Sequence, residues 1–154
     1  MKKLLTGAAI GAILVGAAMM VAMPKMMLIE RVSPYELDET VQRIQAAVTN
    51  GGWEISRTMD MQKSLAKIGQ TVPRVTVVKI CEPHHAAAIM NDDDALFVTT
   101  MMPCSIAVYE KTDGKTYVST MNAGLMGRMF GGTVAKVMSG PVARETAEFT
   151  RFLD

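Results

Sequence analysis

MMPCSIAVYEKTDGKTYVSTMN, residues 101–122, decides the fold. Thr112-Asp113-Gly114 separates two runs rich in Val, Ile, Tyr and Thr, and aspartate and glycine tolerate the positive φ of a tight turn. The stretch therefore predicts a β-hairpin, and a tight hairpin joins antiparallel strands. The sheet is expected to be antiparallel.

Working outward, RVTVVKIC (residues 74–81) is β-branched and apolar on both faces, the pattern of a central strand. The acidic loop Asn91-Asp92-Asp93-Asp94 follows, and LFVTT after it counts toward the two or three strands of the hairpin region. Upstream, MMLIERV (residues 26–32) reads as a first strand. Ser33-Pro34-Tyr35-Glu36 then has the form of a capping box with proline at the first helical position. Leu37, Val41, Ile44 and Val48 form one apolar stripe that ends at Asn50-Gly51-Gly52. Trp53, Ile55, Met59 and Met61 alternate with polar residues, predicting a strand with one buried face, and a short helical turn follows around Leu65 and Ile68.

At the far end Leu125, Met126, Met129, Phe130, Val134, Val137 and Met138 recur at helical spacing, with Gly131-Gly132 placed to kink or divide the helix. Val142, Phe149, Phe152 and Leu153 continue the pattern after a break at Gly140-Pro141. The order is strand, helix, strand, strand, short helix, two or three strands, helix. This predicts an α+β fold in which two long helices cover one face of an antiparallel sheet.

The first residues read as an address. Leu4 to Met23 is an uncharged run of 20 residues behind Lys2-Lys3, about 30 Å of helix and enough to span a bilayer. The expected organisation is a membrane anchor (or signal peptide) over residues 1–25 and one α+β domain over residues 26–154. The front lysines place the domain outside the cytoplasm, at the bacterial inner membrane facing the periplasm. Gly7 and Gly11 form a GxxxG, which permits close helix approach, so a homodimer or a membrane-protein partner is an expected class of contact.

Composition narrows the function. The 154 residues carry a net charge of +1 and few aromatics, without a basic run, which excludes an electrostatic or stacking footprint for nucleic acid. Fifteen methionines give a soft, adaptable apolar surface. The sequence has no GxSxG elbow, Walker spacing or EF-hand.

The chain resembles the family called Domain of Unknown Function 302 from about Ile29 to Phe149. The resemblance rests on VVKICEPHHAAAIM, on MMPCSIAVYEKTDGKTYVSTMN and on GLMGRMFGG, and is strongest where Cys81 with Pro83 is matched by Pro103 with Cys104. It implies a compact domain with an antiparallel sheet against helices, anchored or standing alone. It implies no established activity.

Two candidate sites follow from the residues. Cys81, His84, Met101, Met102 and Cys104 form a soft set in which thiol, thioether and imidazole would suit Cu(I), or non-covalent haem through a histidine and a methionine. Covalent haem is disfavoured, because Pro83 stands where CxxCH needs cysteine. Cys81 and Cys104 can also pair as a disulfide or remain separate small buried hydrophobes. His84 and His85 point about 100° apart on a helix, so at most one can face a site while the other meets solvent. Met121, Met126, Met129 and Phe130 form a candidate partner-binding surface. The reading is a binding module rather than a catalyst, with periplasmic redox or Cu(I) handling as the alternative.

Overall fold

The computed structural model describes residues 25–154, together with Gly16, Met20, Ala22 and Met23. The membrane-length run from Leu4 to Met23 thus falls largely outside the described residues. Among those described, no helix is long and apolar enough to cross a membrane.

Five antiparallel strands form one sheet in the order β1-β5-β4-β3-β2: β1 (Leu28–Ser33), β2 (Glu54–Asp60), β3 (Val75–Cys81), β4 (Cys104–Glu110) and β5 (Thr116–Met121). The hairpin expected at Asp113-Gly114 joins β4 to β5. Gly114 has φ +76°, and the Asp113 carboxylate accepts from the Lys115 amide at 3.0 Å. Aspartate holds the turn that glycine makes sterically free.

Alternation gives the sheet two unlike faces. Val78, Ile80, Ile106, Val108 and Val118 point to one side, where all are buried. Val75, Val77, Lys79, Ser105, Ala107, Tyr109, Tyr117 and Ser119 point to the other, and none of these is buried.

The covered face carries helix α1 (Leu37–Asn50), whose Leu37, Val41, Ile44 and Val48 enter the core, and a chain of short C-terminal helices. These are α4 (Ala123–Phe130), α5 (Gly132–Val137), a π-helical turn over Met138–Val142, and α6 (Ala143–Phe149). The second long helix is therefore broken into pieces. Gly131 and Gly132 both take positive φ, +72° and +54°, which ends α4 and starts α5, and Gly140 leaves helical geometry before Pro141. The pieces fold back closely: a Cβ on Gly127 would stand 2.6 Å from Ser139 Oγ and 2.8 Å from Met138 Cβ. Two smaller helices, α2 (Met61–Ala66) and α3 (Pro83–Met90), follow β2 and β3.

Three local expectations are corrected. The capping box does not form: Ser33 is the last residue of β1, its hydroxyl bonds Thr40 at 2.7 Å and accepts from the Tyr35 amide, and α1 begins at Leu37 after Glu36 without a side-chain cap. LFVTT is not a strand but part of a 3₁₀ segment, Asp93–Met101. Its buried residues Ala95 and Val98 are three apart, the period of that helix, and so reach the core together. Finally, β2 does not keep one apolar face. Ile55 pairs with Ile80, but a bulge at Ser56 shifts the register so that Met59 pairs with Val77, on the other side of the sheet.

Candidate functional site

The site lies where β3 ends and α3 begins. Glu82 is the N-cap of α3, accepting from the His85 amide at 2.6 Å, and Pro83 occupies the first helical position, whose N–H would have no partner anyway. Burial pushes the Glu82 pKa up, but hydrogen bonds from the His85 and His84 amides outweigh it and hold the carboxyl below its ordinary value. The site's N-terminal wall is thus an ionised carboxylate.

That cap fixes the next side chain. The His85 ring lies between two carboxylates, with Nδ1 3.3 Å from Glu82 and Nε2 3.1 Å from Glu145 Oε2 on α6. Trp53, at the turn between α1 and β2, donates its indole N–H to the same Glu145 oxygen at 2.8 Å. The indole is 4 % exposed and packs edge-on against both His85 and Phe149. Three separate elements therefore hold one polar cluster: Trp53, Glu82, His85 and Glu145.

Beside this cluster opens an apolar cleft, walled by Ile80, Ile89, Met102, Cys104, Val137 and Met138. It is narrow, enclosing about 30 Å³, well below the range for ligand clefts, so only a slender group can enter from its open mouth. An apolar cleft with polar groups at its wall can take the hydrocarbon end of a small ligand and orient it by Glu82 and His85, which line it, with Glu145 behind His85.

The soft set predicted from sequence is only partly gathered. Met102 and Cys104 line the cleft, and Cys81 contributes to its wall from the last position of β3. Cys104 lies opposite Ile80, so both point to the covered face; Cys81, one residue on, pairs with Glu54 and turns the other way. Both thiols are free. Met101 packs at the edge of the core, and His84 is exposed, outside the cleft. His85, not His84, faces the site. Among the described residues, no three or more His, Cys, Asp or Glu side chains are grouped to hold a metal ion.

Neither cysteine has the electrostatics of a nucleophile. Burial, then the carboxylates of Glu54 and Glu82, push the Cys81 pKa up. Burial, then Cys81, raises that of Cys104 to about 11. Catalytic thiolates need the opposite shift.

The partner-binding set divides as well. Met126 is buried beneath α4 and Met121 packs half-buried against the core, whereas Met129 and Phe130 face outward. Sequence reasoning missed Trp53, Glu82, His85 and Glu145 as a group. Glu82 was legible, because a carboxylate directly before Pro83 is a cap signal; Glu145, 92 residues from Trp53, had no local signature.

Fold and site together define a small α+β domain with a five-stranded antiparallel sheet, one helical layer and a lateral cleft. The chain belongs to the family described as Domain of unknown function DUF302, whose profile matches residues 29–150. Its fold is similar to the crystal structure of an uncharacterized conserved DUF302 protein from Bacillus stearothermophilus, with a TM-score of 0.72 at 18% identity over 84% of this chain and 99% of that one. No curated protein matches the chain.

Proposed function

We propose that this protein is a non-catalytic binding domain, held at the outer side of a bacterial inner membrane by residues 4–23. Its ligand site is the cleft beside His85. The observation that carries the reading is the pairing of an apolar wall with a fixed polar cluster. Glu145 receives both the Trp53 indole and the His85 ring on one oxygen, and its other oxygen has Arg144 as its ion-pair neighbour, 3.9 Å away. That second oxygen suits a hydrogen-bond donor on a small ligand with an apolar body, and a cationic head would complement the Glu82 and Glu145 charges.

Trp53 is the chain's one tryptophan, so its emission reports on the cleft. Titration of the full-length protein in detergent with short n-alkylammonium ions is expected to change that emission saturably. The change should disappear in Glu145→Gln and in Ala86→Leu, which fills the cleft. A linear response, or one unaffected by both variants, sinks this reading.

A second reading is periplasmic redox or Cu(I) handling through Cys81, His84, Met101, Met102 and Cys104, and what favours it is that Met102 and Cys104 share the cleft wall. It requires Cu(I) binding tighter than micromolar that is lost on changing either cysteine to serine.

A further inference from the structure

Outside the cleft, the 3₁₀ segment Asp93–Met101 and the end of α4 together form a second surface. Leu96, Phe97, Met129 and Phe130 are 42, 58, 50 and 39 % exposed, and the two phenylalanine rings meet edge to face at 5.6 Å. Both elements are well seated by their other sides, the first through Ala95 and Val98 and the second through Met126 and Gly127. The outward aromatics are therefore displayed by rigid elements rather than left over from loose packing. A joined aromatic and aliphatic patch on a small soluble domain marks an interaction surface.

The surroundings indicate which partner. Arg128 on α4 and Lys136 on α5 are exposed and, among the described residues, have no carboxylate within ion-pair distance. Apolar side chains bordered by free cations are the composition of a surface that rests in a lipid headgroup layer. Asp93 and Asp94 lie one 3₁₀ turn, about 6 Å, before Leu96 and Phe97 on the same sides of the segment, so the cations of this surface come from α4 and α5 alone.

Position supplies the second observation. Asn122, the N-cap of α4, donates its backbone N–H to Met27 at 2.8 Å and its side-chain amide to Met26 at 2.9 Å. The chain that leaves the apolar run at Met23 is thereby tied to the start of α4. From there α4 covers about 12 Å to Phe130 at helical rise. The patch thus lies one short helix from the point where the membrane-length segment joins the domain.

We propose that the Leu96, Phe97, Met129 and Phe130 surface is a second membrane contact, seating the domain on an anionic phospholipid bilayer with Arg128 and Lys136 over the phosphates. This rests on residues 4–23 being an anchor. It fixes how the domain stands: tilted onto α4 instead of swinging on its tether.

The test uses the full-length chain in phosphatidylcholine vesicles containing phosphatidylglycerol, with Trp53→Phe as background. Phe130→Trp and, independently, Leu96→Trp report on the patch, and Ala46→Trp on the exposed side of α1 is the control. Brominated lipids are expected to quench both patch probes about twofold and to leave the control unchanged. Vesicle-bound protein whose patch probes are quenched no more than the control overturns the proposal while leaving the anchor intact. Patch probes shielded from aqueous iodide but not quenched by brominated lipid also overturn it, and identify a second copy or another protein as the covering partner. Protein that does not float with vesicles removes the anchor reading and this one with it.

Discussion

The two faces of the sheet are built from the same strands and do opposite things. On the covered face Val78, Ile80, Ile106 and Val108 are fully buried beneath α1 and the C-terminal helices. On the other face the same strands present Tyr109 and Tyr117, stacked at 6.1 Å, with Lys111 3.9 Å over the Tyr117 ring and bonded to Glu30 on β1 at 2.8 Å. Tyr109 also donates to Glu30. One face holds the fold by exclusion of water, the other by exposed ion pairs and aromatic contacts that salt and pH can reach. The two cysteines stand on either side of this divide, one residue out of phase.

Breaking the covered face has the largest expected effect. Ile106→Ala should lower unfolding free energy by about 2–4 kcal/mol in urea denaturation, because it removes buried methyls and leaves a cavity. Val77→Ala, on the other face, should cost below about 1 kcal/mol. Equal losses would show that the second face is covered too. Next in size, Gly127→Ala should destabilise by about 1–3 kcal/mol, since its Cβ would collide with Ser139 and Met138 and push α4 off the π-helical turn. The thermal midpoint checks it.

The cysteines sharpen the comparison further. Alkylation of the folded protein, followed by mass spectrometry, should modify Cys81 first. With its pKa raised to about 11 from 9.0, Cys104 should react roughly a hundredfold more slowly than a free thiol at the same pH. Comparable rates would place both thiols on one side.

The smallest effect concerns Glu30. Hydrogen bonds from Lys111 and then Tyr109 lower its pKa, so its contribution is present above the unfolded carboxylate value of about 4.3. That contribution is lost as pH falls through the lower folded value. Glu30→Gln should flatten the acid limb of the stability profile slightly, and only slightly, because the group is exposed.

Much of this architecture is legible in the chain, and the exceptions share a cause. The hairpin at Asp113-Gly114 and the stripe of α1 are local patterns, and both appear in the structure. LFVTT misleads because β-branched and aromatic propensity is outweighed by the chance to bury Ala95 and Val98 at a three-residue period. Ser33 misleads because a longer-range partner, Thr40, claims the hydroxyl that a capping box would use. At the site, the Cys81-x-x-His84 spacing draws attention to His84. The partner that selects His85 is Glu145, brought in by α6 from the end of the chain. Local chemistry shows which histidines are near; only folding shows which one is held.

The bulge at Ser56 carries a final consequence. Before it, β2 sends Ile55 toward Ile80 and the core; after it, Met59 stands with Val77 on the other face. Ser56 itself is exposed, so most side chains would serve there. Its extra count is another matter: were Ser56 paired in the ladder instead of bulged out, everything from Arg57 to Asp60 would turn over, offering Arg57 to the interior. The meaning of that position lies in its being counted, not in how it is spelled.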